Sequence, residues 1–216
     1  MGTRGAVGFR ANKQDKVSYN QYDSYPDGLG AEVLAFIQNS NLAKLKEAAE
    51  RIILIDESVP PTAEQIKDCA PWTDLGVSNQ STSDWYCLTR RAQGDLNAYT
   101  SGLKYMADSQ GFLIDSLFCE YAYIINTDEQ VLEFYSGYNK KCRTRKGRYA
   151  ALQDQGSDGR PSEYYGVALI KNYPLDEIIG ATDEKLTEIV EEMQKKSSSF
   201  YKSQERELNK LKAAAA

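Results

Sequence analysis

Histidine is absent from all 216 residues. That one absence removes the commonest general base, the commonest zinc ligand and the usual pH switch. It also excludes a Ser-His or Cys-His catalytic arrangement within the chain. The four cysteines, Cys69, Cys87, Cys119 and Cys142, include no CxxC pair, so no structural zinc site is expected. No apolar run approaches the ~18 residues that a membrane span requires. The opening MGTRGAVGFR lacks the apolar segment of a secretory leader. Four reduced thiols in a cytoplasmic protein are therefore the expectation, with a disulfide framework as the alternative. Met-Gly at the start would suit myristoylation, but that motif wants Ser or Thr where Ala6 stands. Phosphate-loop, EF-hand and dinucleotide fingerprints are missing, and no cofactor is expected. The SxxK spacing from Ser101 to Lys104 lacks its supporting motifs.

What is present is a core-forming composition, 41% hydrophobic, with a net charge of −5. The charge argues against a general polyanion binder. Tyrosine is abundant, 15 against 6 phenylalanines. Its apolar body and polar tip suit half-buried surfaces and binding sites as well as cores.

The chain reads as strands in hairpins separated by a block of helices. Residues 3–10 and 16–22 form two short strands around the polar turn ANKQD. Gly2, Gly5 and Gly8 recur every third residue, which no strand face repeats, so they mark close backbone approach or a bulge. Helical spacing begins at Ala31, with Val33, Leu34, Phe36 and Ile37 apolar. A second helix follows over 42–53. Thr62 with Gln65 makes a capping box for a third. Residues 81–99 read as a fourth, weakened by Gly94. The runs 118–126 and 130–136 flank the turn NTDEQ as an antiparallel hairpin. Residues 140–162 read as a long exposed loop and 164–170 as a further strand. From Thr182 a long helix has acids in its first turn and lysines in its last. Its seam steps through Leu186, Val190, Met193, Ser197, Phe200, Gln204 and then Leu208 or Leu211. The terminal alanines are compatible with helix and say nothing more. The predicted class is α+β: one domain over 1–180 with a mostly antiparallel sheet, and a C-terminal helix over 181–216 that partly projects or docks on a partner. Self-association through that helix is one such possibility.

Three constellations bear on function. The first is YNQYDSYPDGLG, residues 19–30. Pro26 holds Tyr25 extended, Asp27-Gly28 makes a turn, and Gly30 permits close packing where the next helix begins. A strand, a glycine-bearing turn and a helix N-terminus together make a place where backbone amides can meet an anion. Tyr22, Asp23, Tyr25, Asp27, Gly28 and Gly30 are the candidate ligand- or partner-binding residues, against a purely structural corner. The second is YNKKCRTRKGRYA, 138–150, where Lys140, Lys141, Arg143, Arg145, Lys146 and Arg148 lie between Tyr138 and Tyr149. Basic residues edged by aromatics suit single-stranded nucleic acid or an acidic protein, against a solvated loop. The third is an N-terminal-nucleophile amidohydrolase, whose free amine would serve as its own base. Residue 2 is glycine, so that chemistry would need a second cleavage exposing Thr3. Paired carboxylates, Asp23 with Asp27 or with Asp115 and Glu120, are a further formal option.

MGTRG at the start, with YNQYDSYPDGLG and a helix after it, resembles an uncharacterised family of bacteriophage and microbial proteins. Those proteins begin MGTRG and carry a Y-x-x-(W/Y)-D-(S/G)-Y-P-x-G-(L/Q)-G segment. The match is Met1 to Gly5 and Tyr19 to Gly30, about a quarter of the chain with the hairpin YAYIINTDEQVLEFYSGY. The resemblance implies a grouping and no mechanism. If the chain is phage-borne, binding a host factor or sequestering a small anionic ligand would fit. The leading expectation is a non-catalytic binding protein acting through the YDSYPDGLG corner. Amidase and nucleic-acid readings stand behind it.

Overall fold

The computed structural model describes residues 2–140, 146–155 and 161–215. Strands β1 (Gly5–Ala11) and β2 (Gln14–Asn20) form the N-terminal hairpin. The five-residue turn expected there shrinks to Asn12-Lys13, both at positive φ, because a primed two-residue turn matches the strands' twist. Asp128 accepts both turn amides at 2.8 Å, tying this hairpin to the next.

Helix α1 (Ala31–Gln38) follows, then α2 (Leu42–Arg51), capped by the Asn41 side chain. The second helix stops before Ile53, and Ile53–Ile55 is instead a strand, β3. Helix α3 (Ala63–Cys69) begins at the expected Thr62–Gln65 capping box. The single helix expected over 81–99 is not there. Only α4 (Trp85–Leu88) and α5 (Asn97–Thr100) are α-helical, with a 3-10 turn between them. Asp84 starts the first piece, and Gly94, at φ +82°, reverses the chain with the Asn20 side chain packed against it.

Strand β4 (Tyr105–Ala107) pairs in parallel with β3. Strands β5 (Tyr121–Asn126) and β6 (Val131–Ser136) form the second hairpin, so 118–120 lie outside the expected strand. The expected loop contains strand residues: β7 (Gln153–Gln155) pairs with β8 (Pro161–Tyr165). The expected strand 164–170 divides around Gly166 into β8 and β9 (Ala168–Pro174). Helices α6 (Leu175–Ile178) and α7 (Asp183–Ala215) complete the chain.

The main sheet runs β2-β1-β5-β6-β9, antiparallel except for β1 beside β5. The class is α+β, with helices gathered on one face. On that face Val7, Phe9, Tyr123, Ile125, Leu132 and Phe134 pack against α1, α2 and α7. On the other face Ala6, Val17, Ala122, Ile124 and Tyr135 lie beneath Leu113, Tyr149 and Val167. At Gly8 an added Cβ would run into the Lys16 carbonyl, so part of the glycine spacing does mark close backbone approach. No helix among the described residues is long and apolar enough to cross a membrane.

Lys16 points into the helical face and is almost fully buried. Its ammonium donates to the carbonyls of Ala49, Glu50 and Ile52 at 2.7, 3.2 and 2.6 Å. These are the orphan carbonyls at the end of α2. A lysine from a neighbouring strand thus caps a helix C-terminus, where the dipole favours a cation. Burial lowers the Lys16 pKa, with Glu50 opposing that shift. Lys16→Met should cost about 1–3 kcal/mol, the range for hydrogen bonds to a charged group, and urea denaturation measures it.

Candidate functional site

The YDSYPDGLG corner sits at one end of the main sheet, beside the first residues of β1 and β5. Ser24 is its anchor and is fully buried. Its amide donates to the Thr3 carbonyl at 3.1 Å, its hydroxyl accepts from Asn20 at 2.8 Å, and its carbonyl accepts from the Tyr123 hydroxyl at 3.0 Å. Gly30 lies against the Tyr123 ring, 3.0 Å from where a Cβ would stand. From this base the chain turns outward. Tyr22 is 61% exposed and Tyr25 45% exposed, with Asp23 exposed between them. Asp23 holds φ +51°, a left-handed conformation that Asp and Asn tolerate better than most residues. Its carboxyl group lies over Gly28, where a Cβ would come within 2.5 Å of Oδ1. Tyr22, Asp23, Tyr25, Asp27, Gly28 and Gly30 therefore do share one corner, with the two glycines inside and the two tyrosines outside.

The amides of that corner are already used. Gly28 and Gly30 both donate to the Tyr25 carbonyl at 3.1 Å, and Leu29 donates to the Asp23 carbonyl at 2.8 Å. Pro26 has no amide to offer. The N-terminal donors that an anion would seek are satisfied internally. What faces solvent is aromatic rings and carboxylates.

The aromatic surface extends beyond the corner. Tyr25 packs on Tyr121 at 6.0 Å between ring centres, and Tyr121 stacks on Phe134. Phe118 is 43% exposed, with the Arg4 guanidinium 4.4 Å above its ring. Tyr138 meets Tyr201 of α7 edge-on at 5.9 Å, and Ser136 donates to the Tyr201 hydroxyl at 2.7 Å. Burial, then Glu120, raises the Tyr138 pKa, while burial and then Tyr121 raise that of Tyr201. This end of the sheet therefore presents tyrosine and phenylalanine faces with Asp23, Asp27 and Glu120 among them.

The basic stretch divides. Lys141, Arg143 and Arg145 lie outside the described residues, as does Cys142. Lys140 is held over the Tyr164 ring at 4.9 Å. Lys146 is exposed at the start of the segment that covers the second face. Arg148 turns inward. Its guanidinium grips Glu133 through two bonds of 2.7 Å and Asp15 through bonds of 3.1 and 2.9 Å. A guanidinium committed to two carboxylates is a poor phosphate ligand, so the polyanion reading loses Arg148.

Arg148 closes a polar cluster that the sequence reading missed. Asp15 also accepts from Arg10 at 2.9 Å and from the Tyr149 hydroxyl at 2.6 Å. Glu133 also accepts from Asn126 at 2.8 Å and from the Tyr135 hydroxyl at 2.9 Å. Register puts Arg10, Asp15, Asn126, Glu133 and Tyr135 on the same face of four adjacent strands. One local signal was available: Glu133 is a lone acid inside the apolar run VLEFYS. The cluster has no idle donor or acceptor poised for chemistry and acts as a clasp. The three cysteines among the described residues are free and buried, and burial followed by Asp115 and then Glu120 raises the Cys119 thiol. Thr3 is buried just before β1, with its carbonyl taken by Ser24.

Comparison of the chain with protein-family models, with curated proteins and with solved structures gave no match.

Proposed function

We propose that this protein binds an arginine-bearing segment of a partner protein through the aromatic corner. The observation that carries the reading is the pair of solvent-facing rings, Tyr22 and Tyr25, flanking Asp23 on a backbone that Ser24 locks from below. A rigid corner loses little entropy when a partner docks, and tyrosine offers a large face at low rotamer cost. A guanidinium stacks on such faces and hydrogen-bonds to carboxylates, where a lysine ammonium does only part of this. Arg4 over Phe118 is an instance of the same contact within the chain. The satisfied amides of the corner favour this partner over a small anion. The bound segment need not change the fold, since the surface is already formed.

The test is fluorescence anisotropy of the full chain with labelled oligo-arginine, oligo-lysine and oligo-glutamate. Oligo-arginine should bind several-fold tighter than oligo-lysine, at about 0.5–1 kcal/mol per exposed cation–π contact. Tyr25→Ala and Asp23→Asn should each remove most of that preference while leaving Tm unchanged. Equal binding of arginine and lysine peptides, unaffected by either variant, would mean bulk attraction to an acidic chain and would sink the proposal.

A further inference from the structure

Strand β9 is an edge strand of the main sheet, and its outer side opens into a groove of about 530 Å³. One wall is Leu169 and Lys146, which belong to the second face of the sheet. The other is α7, through Glu192, Lys195, Lys196, Ser199 and Phe200, which lies on the helical face. A groove walled from both faces must run along the strand's edge. The chain itself begins to pair there: the Leu169 amide donates to the Lys146 carbonyl at 3.0 Å. Beyond that bond Ile170 and Lys171 are half-buried and Asn172 is exposed.

The charge of the groove runs against that of the molecule. The chain carries −5 overall, yet three lysines line this groove. Its one lining acid, Glu192, is already shared between Lys171 at 2.6 Å and Lys196 at 3.6 Å. Lys171 first, ahead of burial, holds the Glu192 carboxyl below its ordinary value, so that acid stays ionised in its pairs.

We propose that the edge of β9 docks an extended acidic peptide, which joins the sheet as a further strand. Backbone pairing with the edge would supply the register. Side chains of the peptide alternate between the two walls. Each wall offers lysine for a carboxylate beside an apolar patch, Leu169 on one and Phe200 on the other. The site is separate from the aromatic corner and does not depend on it.

The probe is an acetylated heptapeptide of alternating glutamate and valine, titrated calorimetrically into the full chain at low salt. Three companions are a lysine–valine version, a form with proline at the centre, and the Lys195→Glu variant of the protein. Lys195 is exposed, so this variant should fold normally, and its Tm checks that. The glutamate peptide should bind, and its affinity should drop at least tenfold with the central proline and at least tenfold with Lys195→Glu. Binding should weaken with salt. Equal affinity for the proline form would overturn strand addition. No binding of the glutamate peptide would show that the lysines only guard an exposed edge against aggregation. Oligo-arginine binding at the corner should survive Lys195→Glu, so the two proposals fail separately.

Discussion

Arg148→Met should destabilise the protein by about 3–5 kcal/mol, the cost of breaking a buried ion pair from one side. The Glu133 and Asp15 side chains are 3% and 8% exposed, and Arg148 is the cation that both share. Without it Glu133 keeps only Asn126 and Tyr135 as donors, and Asp15 keeps Arg10 and Tyr149. Two carboxylates that one guanidinium had bridged would then face each other in a low dielectric. The loss should be local as well as global. Residues 146–152 cover the second face largely through Arg148 and Tyr149, so their amides should lose hydrogen-exchange protection first. Adding Glu133→Gln should recover part of the loss, because the orphaned charge is the costly element and not the missing bond. Urea denaturation of the single and double variants gives both numbers. A single-variant cost under about 0.5 kcal/mol would show that the clasp carries no net stability, as exposed pairs often do not.

Alkaline pH should unfold the protein cooperatively, while stability stays flat near neutrality. With no histidine, no side chain has an ordinary pKa between about 5 and 8. The alkaline side is different. Burial, then Asp68, raises the Cys69 thiol from 9.0 to about 11. Burial likewise raises Cys119 from 9.0, and raises Tyr99, Tyr123, Tyr135, Tyr149, Tyr173 and Tyr201 from 10.0. Each of these groups is neutral when protonated, and folding favours that form. The unfolded chain therefore loses these protons first. Stability is complete below about pH 9 and falls as pH rises through the window between unfolded and folded values. Cys69 alone accounts for a loss on the order of 3 kcal/mol by pH 11. Lys16 works in the opposite sense, since its folded pKa is lowered and its contribution rises towards 10.5. One lysine does not offset eight groups. Against a typical domain stability of about 5–15 kcal/mol, unfolding should be complete near pH 11. Tyrosinate absorbance and far-ultraviolet circular dichroism should change together. Gradual ionisation of the buried rings with intact secondary structure would contradict their burial.

Much of the fold is legible because it is local. Alternation and turn residues mark both hairpins, Thr62 and Gln65 mark a helix start, and acids then lysines mark α7. The failures share a cause, which is that their partners are distant in sequence. β3 is three residues long and is defined by pairing with β4 some fifty residues away. The β1–β5 pairing joins strands more than a hundred residues apart. The helix expected over 81–99 has adequate propensity, but Asp84 and Gly94 cut it where the Asn20 side chain packs against Gly94. At the corner, proline and glycines announced the turn, and the turn is there. The burial of Ser24 was not legible, since a serine between aspartate and tyrosine reads as surface. Nor was the inward turn of Arg148, because charge runs usually face solvent and nothing local names Asp15 as its partner.

The measurement that bears most directly on the proposed function is amide chemical-shift mapping as oligo-arginine is added to the isotope-labelled protein. The rival explanation is attraction to the acids of α7, such as Asp183, Glu184 and Glu188. Perturbations confined to 22–28 and reaching Phe118 and Tyr138 are the expected result, saturating and lost in Tyr25→Ala. Shifts spread along α7 with the corner silent would contradict it.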